Sequence, residues 1–139
     1  MPALRPAANA KPVDEKITLN VGFVDLGQID LLVQEGFYAN RSDLIRTAIR
    51  NQIASHADAL KQVVSRRTLA LGIQHLAAAD LEAVRARGEA LDVRVLGLLT
   101  IAADVTPELA LQTLRSVSIL GSLHASPAVK AALADRMTA

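Results

Sequence analysis

The sequence has no cysteine and no tryptophan, and its aromatic side chains are one Tyr and two Phe. Without cysteine there is no disulfide, no thiolate zinc site and no cysteine nucleophile. With 51% hydrophobic but only 2% aromatic residues, a core must be built from Leu, Ile, Val and Ala. That composition suits helices and short repeats. An excess of charge of either sign is also missing. The formal net charge is +1; residues 1–66 carry 8 Lys/Arg and 7 Asp/Glu, and residues 67–139 carry 7 and 7. There is thus no basic tail, and a nucleic-acid reading has to rest on where single charges are placed.

No apolar run approaches the roughly 20 residues of a membrane span. The N-terminus has Pro2 and Pro6 and no apolar h-region, so neither a signal peptide nor a membrane partner is expected and a cytoplasmic protein is the expectation. No Ser/His/Asp set, phosphate loop or paired-carboxylate constellation stands out. The chain is expected not to be an enzyme, with no cofactor and no metal. At 139 residues it has room for one domain or two small ones.

The clearest positive signal is Lys16-Ile17-Thr18-Leu19-Asn20-Val21. It alternates strictly, so as a strand it puts Ile17, Leu19 and Val21 on one face and Lys16, Thr18 and Asn20 on the other. A single short strand forms no stable sheet, and helical patterns follow at once. The expected partner is therefore the same strand of a second copy. Such a two-stranded ribbon fits the major groove of DNA with its polar face toward the bases.

Residues 1–14 are Pro- and Ala-rich and without period, which predicts a disordered arm. Arg5 and Lys11 could track a phosphate backbone from it. After the strand, Gly22 is a break. Leu26, Ile29, Leu32 and Val33 predict a helix over 23–35, with Gly27 inside it costing about 1 kcal/mol relative to Ala. Gly36 stands where a left-handed helix stop belongs, and Phe37 and Tyr38 are expected to seal the turn. Asn40 is a good N-cap with Asp43 in the first turn. Leu44, Ile45, Ala48, Ile49 and Ile53 then mark a second amphipathic helix, whose opposite face carries Arg46, Arg50 and Asn51. No Gly or Pro stops it before Gly72, so it is expected to extend through Leu60 and Val63, with a loose boundary near 65–67.

Strand, helix, turn and helix within about 40 residues, with the run Gly36-Phe37-Tyr38-Ala39-Asn40-Arg41-Ser42-Asp43-Leu44-Ile45-Arg46-Thr47-Ala48-Ile49-Arg50, resembles the ribbon-helix-helix family, the CopG/Arc/MetJ-type repressors. The resemblance covers residues 15 to about 55. Gly22-Phe23 departs from it, because the family often has Pro or a polar cap there. The resemblance implies an intertwined homodimer on double-stranded DNA. It implies that Lys16, Thr18 and Asn20 read base edges and that the amides around Asn40, Arg41 and Ser42 clamp a phosphate. Each role is chemically sound. Asn suits adenine, Lys suits guanine and Thr suits a base or methyl group. A helix start offers free N–H groups and partial positive charge. Arg46 and Arg50 are equally placed for phosphate contact or for solvent.

Residues 67–139 read differently. Leu-Gly pairs at Gly72, Gly97 and Gly121 recur at spacings of 25 and 24, each within an extended apolar segment and each followed by a helix start: Asp80 before Leu81-Glu82, Thr106 before Pro107 and Ser126 before Pro127. This predicts a strand-turn-helix repeat stacked as a small solenoid, like a leucine-rich repeat in length but without its consensus. Its open ends are expected to pair with another subunit. His75 and His124 share a repeat position with Thr100 between them, and are read, like His56, as solvated rather than as metal ligands.

The fold class expected is mainly α with short strands: a ribbon-helix-helix dimer followed by a small α/β repeat domain. The expected boundaries are an arm at 1–14, the DNA-binding domain at 15–56, a helical extension or linker at 57–66, and at 67–139 a repeat domain for assembly or for a partner or ligand. The expected function is a sequence-specific DNA-binding transcriptional regulator, a repressor. The alternatives are the antitoxin of a toxin–antitoxin pair, with a toxin or other protein as partner, and a self-assembling structural protein forming a higher oligomer through 67–139.

Overall fold

The computed structural model describes residues 5–6 and 14–138. The chain separates into two compact units, one of residues 14–63 and one of residues from 64 onward together with Arg5–Pro6. The boundary falls inside a helix.

The first unit opens with residues 14–22, which belong to no helix and no sheet ladder. The strand expected over 15–21 does not form in the single chain. Helix α1 spans Phe23–Gln34. It ends in a Schellman arrangement. Gly36 takes φ +84, its N–H donates to Val33 O (3.1 Å), and Phe37 N–H donates to Leu32 O (3.0 Å). Helix α2 spans Arg41–Ala54, and α3 spans Ala57–Arg67.

The expectation of one continuous helix through Val63 is corrected here. Ser55 and His56 break it without any Gly or Pro. The Ser55 hydroxyl donates to Gln52 O (2.6 Å), and His56 N–H turns back to Ile53 O (3.0 Å). A serine hydroxyl bonded to a carbonyl of its own last turn competes with the backbone ladder there. Helix α3 stops at Thr68, whose φ is +55.

The second unit is a sheet with helices packed on it. Strands β2 (Ala70–Leu76), β3 (Leu91–Ile101) and β4 (Leu114–His124) are parallel neighbours in chain order. A two-residue β1 (Arg5–Pro6) lies antiparallel along Gln74–His75, and β5 (Met137–Thr138) lies parallel along Val117–Ser118. Helices α4 (Ala78–Ala86), α5 (Pro107–Thr113) and α6 (Pro127–Leu133) connect them. Two expectations change. The fold mixes helix and strand, and the strands are not short: β3 and β4 have 11 residues each. They begin earlier than their Gly-centred cores suggested, because Leu91 and Leu114 are themselves buried. The arm over 1–14 lies outside the described residues except at Arg5–Pro6, which enters the sheet, and at Asp14.

The helix starts follow the capping chemistry. The Thr106 hydroxyl accepts from Leu109 N–H (3.1 Å), and that of Ser126 from Val129 N–H (3.2 Å). Each is followed by Pro at the first helical position. At α4 the cap is reversed. The helix starts at Ala78, three residues before the expected Leu81, and the Asp80 carboxylate reaches back to Ala77 N–H (2.9 Å).

Among the described residues, all sixteen buried apolar side chains fall between Leu76 and Leu133. One cluster joins Leu81 and Val84 of α4, Leu109 and Ala110 of α5, and Val129 and Leu133 of α6 to Val93, Val95, Leu99, Leu114 and Val117 of the sheet. In β3 the cluster takes Leu91, Val93, Val95, Leu99 and Ile101, alternate positions broken only by Gly97, so one sheet face meets the helices.

Gly72, Gly97 and Gly121 stand directly opposite one another across the three strands. All have φ above +100. A Cβ on Gly97 would sit 2.3 Å from Gly72 O, and one on Gly121 would sit 1.9 Å from Gly97 O. The row lets each carbonyl approach the next strand's Cα, which no side chain permits. The same register aligns His75, Thr100 and His124, with His75 Nδ1 2.6 Å from Thr100 Oγ1. Among the described residues no cluster of metal-ligating side chains occurs, and no helix is long and apolar enough to cross a membrane.

Candidate nucleic-acid interface

The candidate residues all fall in the unit of residues 14–63. Lys16, Thr18 and Asn20 are exposed. So are their apolar neighbours: Ile17 is 79% and Leu19 68% exposed. The segment therefore displays both its faces to solvent. Exposed side chains of this kind can donate to and accept from base edges.

The start of α2 is built by a reciprocal pair of bonds. Asn40 has extended backbone angles (φ −162, ψ 177), and its Oδ1 accepts from Asp43 N–H at 2.8 Å. The Asp43 carboxylate accepts in turn from Ala39 N–H at 3.0 Å. This is close to a capping box, with the Asp43 carboxylate taking the N–H one residue before the cap. The Asn40 cap satisfies Asp43 N–H, while the N–H groups of Arg41 and Ser42, in the first turn, have no intrahelical carbonyl within reach. They are the groups a phosphate could take, and the helix dipole adds partial positive charge there. Asp43 adds an opposing negative charge beside them, so such a clamp works by directed hydrogen bonds more than by net field.

Sequence reasoning did not find Asp30. The Arg41 guanidinium pairs with it in two parallel bonds, Nε to Oδ1 at 2.7 Å and the second nitrogen to Oδ2 at 2.9 Å. The pair ties α1 to the first residue of α2. It also holds the Asp30 carboxyl below its usual value and raises Arg41, chiefly through the hydrogen bonds themselves. Both side chains are exposed, so water screens the pair. The consequence for the site is specific. The side chain of Arg41 is committed within the chain, and what it offers outward is its backbone amide. Arg46 and Arg50 are exposed on α2. Among the described residues neither they nor Lys16 form an ion pair. The only sequence signal for Asp30 was its place on the amphipathic helix's polar side, 11 residues before Arg41.

No residue of α1, α2 or α3 is buried. Ten of the thirteen large apolar side chains exposed in the described structure lie in this unit, among them Phe23 at 94%, Val24 at 75%, Phe37 at 70% and Ile53 at 55%. Exposed apolar area of this extent marks an association surface.

The profile of the Ribbon-Helix-Helix transcriptional regulator family matches residues 12–130. The transcriptional regulator CdrS of Halobacterium salinarum is 34% identical over 44 residues, which is 32% of this chain and 80% of that protein. No solved structure matches. The family profile covers most of the chain, including both units, and the chain belongs to the ribbon-helix-helix family of DNA-binding transcriptional regulators.

Proposed function

We propose that this regulator binds double-stranded DNA as an intertwined homodimer and represses transcription in the cytoplasm. Strands 16–21 of two copies pair, Ile17, Leu19 and Val21 turn inward, and Lys16, Thr18 and Asn20 enter the major groove. Asn40, Arg41 and Ser42 form the phosphate clamp, with the cap of Asn40 shaping it and the amides of Arg41 and Ser42 donating. Arg46 and Arg50 make further phosphate contacts.

The observation that carries the reading is the absence of any buried residue in α1, α2 and α3 beside ten exposed large apolar side chains. A unit of that kind is half of a core. A ribbon through residues 14–22 gives both the missing strand partner and the missing burial.

Residues 67–139 we read as a strand-turn-helix repeat, supported by the three glycines in register. Its task is assembly. The 57–66 segment joins it to the DNA-binding domain over 15–56. The apolar, folded character of 67–139 favours this over a toxin-binding tail.

The test is selection of random duplexes on the purified protein, with its mass measured in solution. A dimer selecting a two-fold symmetric site is expected. Asn20→Ala should retain the dimer and lose about 1–3 kcal/mol of discrimination at one base position. A variant that binds the selected site as tightly as the parent would remove Asn20 from the reading face.

A further inference from the structure

The sheet of the second unit has a second face. Helices α4, α5 and α6 pack against the side that holds Val93, Val95 and Leu99. By strand alternation the other side presents two adjacent rows: Leu71, Leu96 and Leu120 in one, and Ile73, Leu98 and Ser122 in the next. Leu71 is 69% exposed, Ile73, Leu96 and Leu120 are half-buried, and Leu98, in the central strand, is buried. None of these residues belongs to the core cluster. Parallel sheets are found almost only with both faces covered, so a leucine row on the face turned away from α4, α5 and α6 calls for a second layer.

We propose that the missing layer is the same face of a second copy, the two sheets packing face to face about a two-fold axis. Three points select a copy of this chain over another occupant. The two rows contain no ionisable side chain, so they offer nothing to a charged ligand or to nucleic acid. A two-fold axis sets one patch on an identical patch, and an uncharged row of Leu is complementary to itself. The third point rests on the proposed function. If residues 14–63 already hold two copies together, the second sheet is tethered at an effective concentration in the millimolar range. A patch well below the roughly 800 Å² per partner of a free-standing interface then suffices.

The absence of cysteine gives a clean test on the full chain. His124 is exposed on the same sheet face, in a polar row beside the patch. His124→Cys carries a nitroxide label, distances between labels are measured by pulsed dipolar spectroscopy, and the mass is measured on the same sample. With sheets packed about 10 Å apart, a single label–label distance below roughly 30 Å is expected. Adding Leu71→Arg should abolish that distance while the mass stays that of a dimer. Leu71 is exposed enough for this change to leave the fold intact, and the distance in the singly substituted protein stands without it. A dimer with no short distance, or with one that Leu71→Arg leaves unchanged, overturns the face-to-face contact alone. A monomeric mass overturns it together with the ribbon dimer.

Discussion

Gly97→Ala should destabilise the second unit well beyond Gly72→Ala, although the two glycines are neighbours in one row. Both have positive φ, +137 and +110. Forcing a side chain into that region costs about 1–3 kcal/mol at either site. The difference lies in space. A Cβ at Gly72 meets nothing within 4 Å, whereas one at Gly97 falls 2.3 Å from Gly72 O and 3.0 Å from Gly72 C. Those are backbone atoms and cannot swing aside, so β2 and β3 must separate where their ladder is continuous. Overpacking of this kind adds about 1–3 kcal/mol. Gly97→Ala thus totals about 2–6 kcal/mol, a large share of the 5–15 kcal/mol typical of a domain. Urea unfolding followed by circular dichroism measures it. At an m-value of about 1–3 kcal/mol per molar, the two variants should differ in midpoint by on the order of 1 M. Equal midpoints would refute the reasoning, because they would mean that backbone angle alone makes these positions glycine.

Asn40→Ala removes the acceptor for Asp43 N–H and should lower stability by about 1 kcal/mol. It should weaken DNA binding evenly across sequences, which titration against matched and mismatched duplexes would show. Asp30→Asn should uncouple α1 from the start of α2, and a parent-minus-variant difference in melting temperature should be largest at low salt. Its pH dependence has a definite sign. The folded-state pKa of Asp30 is lowered from 3.8, so the pair's contribution is complete above that value and is lost as pH falls through the lower one. A difference that grows toward acid would contradict the pairing. DNA affinity should fall linearly on a log–log plot against salt. Arg46→Ala and Arg50→Ala should each flatten that slope by about one unit if each contacts a phosphate.

Local chemistry was legible in the sequence wherever one residue decides the outcome. Gly36 ends α1, Asn40 starts α2, and Thr106 and Ser126 cap helices that begin with Pro. The Leu-Gly spacing was legible too, because register partners in parallel strands recur one strand-helix unit apart. The break at Ser55–His56 was hidden, since a serine bonded to its own helix looks like any serine. The start of α4 was misplaced because an aspartate can act from inside the first turn as well as ahead of it. The strand lengths were underread: β4 follows α5 with no turn residue between Thr113 and Leu114. The Asp30–Arg41 pair depends on how two helices cross, which periodicity does not encode. The alternation over 16–21 was plain, yet the single chain forms no strand there.

A DNA-binding unit that leaves Phe23, Phe37 and Ile53 open to water has a further consequence if two chains complete it. Its folding is then a bimolecular reaction, and stability becomes a function of how much protein is present. Each tenfold dilution would remove about 1.4 kcal/mol from the assembled state. Below the assembly threshold, the amount of DNA-competent species would rise with the square of the chain concentration. A cell doubling its supply of this protein would then gain up to four times the operator-binding species. The exposed leucines and phenylalanines would set a dose threshold for regulation.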